Sequence, residues 1–252
     1  MIEIRRSQDR GSGKLDWLDA RFTFSFGPYK DPEQVGFSDL RLLNDDRVKG
    51  GGGFASHEHK DTEVFSYVLS GALEHKDSTG EGSVVPPGDV IMMSTGTGIT
   101  HSEFNHSSTE PVHFLQVWVS PARRGVTPRY KQQHFSATRK RGRFATILVP
   151  EGEEAPGEMA WYADARVYAG LLDGNERAHV DLAPGRYAYI HVIRGAVSVN
   201  GTALADGDGA RVRGERRLLF TDGTDAEILV FDLAPKETPD SQAGLENNRP
   251  RG

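Results

Sequence analysis

A chain of 252 residues can bury a full core, and with 37% hydrophobic and 26% charged residues it has the make-up of an ordinary globular protein. A formal charge of -6 gives no general attraction to nucleic-acid phosphates or anionic lipid, and with no cysteine there is neither a disulfide framework nor a thiolate metal site, so any metal must sit on nitrogen and oxygen. The 29 glycines point to many tight turns rather than to a helical bundle.

The opening Met1-Ile2-Glu3-Ile4-Arg5-Arg6 lacks the apolar stretch of a signal peptide, and no segment approaches the length of a membrane span, which makes the cytoplasm the expected compartment. From Asp45 to Ser120, short apolar stretches are cut by Gly, Pro and Asp, as in Val64 to Leu69, Val90 to Met93 and Val112 to Val119. These read as strands of an antiparallel sandwich or barrel. Val112, Phe114, Gln116 and Trp118 alternate with His113, Leu115, Val117 and Val119, so both faces of that strand are largely apolar and it is expected to be central.

Within this region His57-Glu58-His59 follows Gly51, and His101-Ser102-Glu103 follows Gly98. Residues i and i+2 of a strand point to one face, so His57 projects with His59, and His101 with Glu103. A lone His-x-His pair is weak, since surface strands carry such pairs by chance; two pairs bordered by glycine turns make a four-ligand site. Three imidazoles and a carboxylate suit Fe(II), Ni(II), Mn(II), Co(II) or Cu(II), with Zn(II) also accommodated, and an octahedral ion held this way keeps positions open for water, substrate or dioxygen. His75 reads as an ordinary polar strand residue, with a role facing the site as the alternative. Gln116 is read equally as a group orienting a ligand and as a core hydrogen bond. His106, His113 and His134 carry no spacing argument.

Residues 122–157 are rich in Arg, Gly, Pro and Glu and read as a connecting segment between an N-terminal metal-binding half, 1–121, and a C-terminal half, 158–235. The basic clusters Arg123-Arg124 and Arg139-Lys140-Arg141 are too short for a nucleic-acid stripe, so no direct nucleic-acid contact is expected. A faint repeat supports duplication. Tyr67-Val68-Leu69-Ser70-Gly71-Ala72 leads to Pro87-Gly88-Asp89, and His191-Val192-Ile193-Arg194-Gly195-Ala196 leads to Asp206-Gly207-Asp208. By these offsets His57, His59 and His101 fall on Asp181, Ala183 and Phe220, so no ligand set carries over and His179 and His191 read as hydrogen-bonded structural histidines. Residues 236–252 are polar and read as a loosely ordered tail.

The spacing Gly51-x5-His57-x-His59-x3-Glu63 resembles the first cupin motif, with one residue more before Gly71, and Gly98-x2-His101-x3-Asn105 resembles the second, with Gly96 where many cupins have proline. Phe22-Thr23-Phe24-Ser25-Phe26, Asp31-Pro32, Gly36-Phe37, Leu40-Arg41, Asn44-Asp45-Asp46, His75-x-Asp77-Ser78 and Thr97-Gly98-Ile99-x-His101-Ser102-Glu103 are similar to the pirin family, over about Met1 to Gln132, and to its bacterial members with quercetin 2,3-dioxygenase activity in particular. Arg21 stands where that family has a histidine.

The resemblance implies an all-β bicupin, two antiparallel β-sandwich or jelly-roll domains, with one metal, usually iron, in the N-terminal cupin on His57, His59, His101 and Glu103. Glu63 is the competing carboxylate, since many other cupins ligate through its motif position; Glu103 is favoured because it shares a strand face with His101. It further implies a dioxygenase taking a small aromatic substrate and dioxygen, with Glu103 as the base that removes a hydroxyl proton. The alternative is a metal-binding regulatory or redox-sensing protein acting through protein partners. A metal-free bicupin leaves the four-ligand set idle, and a monomer is expected.

Overall fold

A computed structural model gives the fold, and residues 1–236 are described. The expected tail lies, from residue 237 on, outside the described residues. The short apolar stretches become strands almost throughout. After β1 (Ile2–Arg5) come β2 (Gly11–Lys14), β3 (Leu18–Phe22), β4 (Leu40–Val48), β5 (Gly53–His59), β6 (Glu63–Ser70), β7 (Leu73–Asp77), β8 (Gly82–Val85), β9 (Asp89–Ser94), β10 (Ile99–Asn105), β11 (Val112–Val119) and β12 (Arg129–His134). A one-turn helix α1 (Ala137–Lys140) leads to β13 (Phe144–Pro150), β14 (Met159–Trp161), β15 (Ala165–Gly174), β16 (Ala178–Asp181), β17 (Tyr187–Val199), β18 (Thr202–Ala205), β19 (Gly209–Val212) and β20 (Arg217–Leu233). The all-β expectation is met, and no helix among the described residues is long and apolar enough to cross a membrane.

Among the described residues the chain divides into two compact units, one of Gly11–His134 with Trp161–Ala163, the other of Met1–Arg10, Phe135–Ala160 and residues 164–236. The first is a sandwich of a seven-stranded sheet, β12-β9-β6-β11-β4-β3-β2, and a four-stranded sheet, β5-β10-β7-β8. β11 lies between β6 and β4 and is buried at every position but His113, as its two apolar faces require. Val68, Val112 and Phe114 of the larger sheet pack against Leu73 and Val85 of the smaller one. The second unit is built on a nine-stranded sheet whose longest strands, β17 and β20, pair with each other. Its core gathers Ile190, Val192, Phe220, Ile228 and Val230 among others.

The segment 122–157 differs from a plain connector. Its strand β12 pairs antiparallel with β9 in the first unit, while α1 and β13 belong to the second, and the units part between His134 and Phe135. β12 reads weakly in sequence because it is an edge strand, with no residue fully buried. The N-terminal strand β1 joins the second unit, pairing with β19 and packing Ile2 and Ile4 on its core.

The internal repeat has a structural counterpart. Gly71 and Gly195 both take φ 73°, a conformation that favours glycine. In each copy the amide of the later glycine donates to the carbonyl three residues before the earlier one, Gly88 to Val68 at 3.3 Å and Gly207 to Val192 at 2.9 Å. The copies then diverge. Gly71 separates β6 from β7, which lie in different sheets, whereas Gly195 sits within the continuous β17, where the ladder to β20 slips register on either side.

Candidate metal centre

The two i,i+2 pairs lie on adjacent strands. β5 and β10 run antiparallel with His101 opposite His57 and Ile99 opposite His59. The register slips by a residue between His101 and Glu103, a bulge in which Ala55 and Ser56 of β5 are left over. The bulge has a chemical consequence: Ala55 O lies 2.8 Å from His57 Nδ1. A carbonyl only accepts, so the ring hydrogen is on Nδ1 and the lone pair of His57 is on Nε2, which faces His101 Nε2 at 3.0 Å.

The three rings stand close together, with centroids 4.8 Å apart for His57–His59, 4.5 Å for His57–His101 and 4.9 Å for His59–His101. His59 and His101 are buried, and His59 Nε2 and His101 Nδ1 have no hydrogen-bond partner. Burial, reinforced by His101 and His57, holds His59 well below the ordinary imidazole value. Burial, with His57 and then His75 nearby, brings His101 down to about 2. Both rings are therefore neutral, the form in which imidazole binds a metal. Trp118 of the facing sheet stands edge-on to His59 at 4.8 Å.

Glu103 reaches across the sandwich. Its Oε1 lies 2.9 Å from Ser66 Oγ on β6, and its Oε2 accepts from Gln116 Nε2 on β11 at 2.5 Å. Ser66 Oγ is also 2.6 Å from Gln116 Oε1, so the three side chains close a buried ring. Glu63 is engaged elsewhere: its Oε2 accepts from Ser94 Oγ at 2.7 Å and from the Tyr162 amide at 3.2 Å.

Among the described residues, two groups of three donors have atoms all within 4.8 Å of one another: His57, His59 and His101, and His75, His101 and Glu103. Of the four expected ligands, three histidines are thus gathered as a set, and Glu103 joins them through His101. His75 is not an ordinary polar strand residue: it has no exposed surface, faces Glu103 across the β7–β10 ladder, and lies 3.0 Å from Asp77 Oδ2 through Nε2. The i,i+2 spacing of His75 and Asp77 is the same sign that marks the other two pairs, and it was readable in sequence. Ser66, Trp118 and Tyr130 left no such sign, because each meets the site across the sandwich. His106 pairs with Glu74, His113 with Asp45 and His134 with Asp89, and Arg21 pairs with Asp19, outside both donor groups. In the second unit His179 lies 3.6 Å from Asp181 and His191 is buried on β17.

Imidazole nitrogens brought close together, buried nitrogens without partners and a carboxylate anchored from the opposite sheet fit a divalent transition-metal ion. Two β units with these donors on the four-stranded sheet of the first define a metal-binding double cupin. The Pirin family model matches residues 3–119, and the model described as Quercetinase C-terminal cupin domain matches residues 146–233. Quercetin 2,3-dioxygenase of Escherichia coli (strain K12) is 40% identical over 235 residues, 93% of this chain and 100% of that protein. The solved structure of bacterial pirin YhhW from Escherichia coli in complex with nickel(II) superposes with a TM-score of 0.88 at 39% identity, covering 94% of this chain and 100% of that one. A quercetin 2,3-dioxygenase structure from Acinetobacter baumannii, at 22% identity and a TM-score of 0.70 over 89% of this chain and 84% of its own, shares the fold. The chain belongs to the pirin family.

Proposed function

We propose that this chain is a metal-dependent dioxygenase of flavonol-type aromatic substrates, holding one ion, Fe(II) before Ni, Mn, Co, Cu or Zn, on His57, His59, His101 and Glu103. The observation that carries the reading is the convergence of three imidazoles beside a buried carboxylate, in a chain whose relatives along their full length are named quercetin 2,3-dioxygenase. When bound, such an ion acidifies a coordinated hydroxyl and brings it together with dioxygen.

The chain's own residues do the rest. Ala55 fixes the tautomer that turns His57 Nε2 inward. Trp118 and the sandwich walls exclude water from His59. Glu103 takes the hydroxyl proton. The Ser66–Gln116 ring accommodates it without moving a heavy atom: Ser66 turns its single hydrogen from Glu103 Oε1 to Gln116 Oε1, and a proton arriving on Oε1 is then donated back to Ser66 Oγ.

The test is to purify the protein without added metal, measure its metal content, and follow quercetin absorbance in air for wild type and Glu103→Gln. Stoichiometric metal with quercetin loss in wild type alone supports the reading. Metal with no turnover of any flavonol overturns the dioxygenase assignment and leaves a metal-binding protein that acts through partners.

A further inference from the structure

His75 belongs to no ligand set expected from sequence, yet it is one of the most completely enclosed polar residues of the first unit. Its Nε2 is 3.0 Å from Asp77 Oδ2, and both side chains are fully covered. A carboxylate accepts, so Nε2 carries a hydrogen, and in the neutral ring Nδ1 is the nitrogen with the lone pair. That Nδ1 is buried and has no hydrogen-bond partner. Tyr130 stacks on the ring at 4.8 Å and 15°, which fixes its plane, and the Tyr130 hydroxyl is itself held by Ser83. The ring is 5.3 Å from that of His101, and its donor atom lies within 4.8 Å of those of His101 and Glu103.

The tautomer and the plane of this ring are thus both set by its neighbours, and what they set is an acceptor beside the metal ligands. Groups so held are usually matched by a donor. Glu103, directly across the ladder, is bound to Ser66 and Gln116 and supplies none. Quercetin carries hydroxyls on both sides of its ring carbonyl, at positions 3 and 5. An O–H group is a donor to such an acceptor, where a carbonyl or an ether is not.

We propose that His75 is a specificity-determining residue of this site: its Nδ1 accepts a hydrogen bond from a hydroxyl flanking the carbonyl of the bound flavonol, with Asp77 and Tyr130 holding the ring for that contact. The inference rests on the flavonol reading above. It also gives a role to a histidine that is buried against an aspartate next to the ligand strand.

The experiment uses full-length protein loaded with nickel(II) and kept free of dioxygen, so that binding is read without turnover. Dissociation constants are measured by absorbance for quercetin, for luteolin, which lacks the 3-hydroxyl, and for fisetin, which lacks the 5-hydroxyl. In wild type, loss of the hydroxyl that meets His75 weakens binding about tenfold. In His75→Leu the same loss changes binding less than about twofold, while nickel content stays stoichiometric; the analogue that behaves so identifies the hydroxyl. His75→Gln keeps an acceptor and retains part of the preference. Should His75→Leu fail to fold, Asp77→Asn frees the tautomer while leaving the ring, and the preference must shrink there too. Equal weakening of all three ligands in His75→Leu, or none, overturns the role of His75 and leaves the flavonol reading standing. Wild type that binds nickel but none of the three flavonoids overturns both.

Discussion

Replacing His101 with Ala removes the one donor common to both groups of the site. Its neighbours are held independently of it, His57 by Ala55 and Glu103 by Ser66 and Gln116, and the β5–β10 ladder is made by backbone groups. The expected outcome is metal content at background by elemental analysis, no flavonol turnover, and an unchanged far-ultraviolet circular dichroism spectrum; retained stoichiometric metal would remove His101 from the ligand set. The same rings give a pH signature to the metal-free protein. His59 and His101 titrate in the folded state far below the value of about 6.5 that they have in the unfolded chain. Below pH 6.5 the unfolded state therefore binds protons that the folded state refuses, and stability falls as pH falls. For His101 the loss continues down towards its folded value of about 2. Urea unfolding of metal-free protein between pH 8 and 5 checks this; a flat profile below pH 6.5 would mean that these rings accept protons in place. At this scale the pairs on one strand were legible, because the two-residue period of a strand is a local rule. Ser66, 37 residues from Glu103, and Tyr130, 55 from His75, were not, because only the closing of the sandwich brings them near.

The elements divide by where they lie in their sheets. β6, β9 and β11 are central or nearly so, are buried on both faces, and announce themselves as continuous apolar runs. β1, β2 and β12 are edge strands that carry polar and half-exposed residues; β12 is lost in the segment that reads as a connector, and β1 and β2 lie ahead of the stretch from Asp45 that reads as strands. Glycine turns mark the joints between elements, and Gly71, at the joint of β6 and β7, is one that leaves no room for a side chain. It takes φ 73°, and a Cβ there would stand 2.6 Å from Pro111 O and 2.8 Å from Val112 Cα. Both obstacles are backbone, which cannot swing aside. Gly71→Ala is expected to lower unfolding free energy by about 1–3 kcal/mol, measured as a drop in the urea midpoint at unchanged slope. A variant as stable as wild type would show that the β6–β7 joint relaxes, and would weaken the correspondence with Gly195, whose Cβ would meet Thr224 O at 2.2 Å.

Duplication of a unit duplicates its fold and need not duplicate its chemistry, and the two units of this chain separate the two. The Gly88–Val68 and Gly207–Val192 contacts recur, and both units are built on antiparallel sheets. The donors do not recur: the positions matching His57, His59 and His101 hold Asp181, which is bound to Arg217, Ala183, and Phe220, which is part of the apolar core. Where the first unit turns imidazoles inward, the second fills the same kind of interior with Phe220, Val180 and Leu218. The whole molecule is accordingly expected to take up a single ion. Equilibrium dialysis against nickel(II) should saturate at one ion per chain, fall to background in His57→Ala, and be unaffected in His191→Ala, since His191 lies in the other unit and in neither donor group. Because the ion binds the folded chain and not the unfolded one, nickel at a hundredfold excess over its dissociation constant should add about 2.7 kcal/mol to stability. For a chain of this size that is a rise in Tm of roughly 5–10 °C, absent from His57→Ala. Saturation at two ions, or a nickel-dependent rise in Tm that survives His57→Ala, would place a second binding site outside the donors on β5 and β10 and would undo the argument that only one of the two units kept its chemistry.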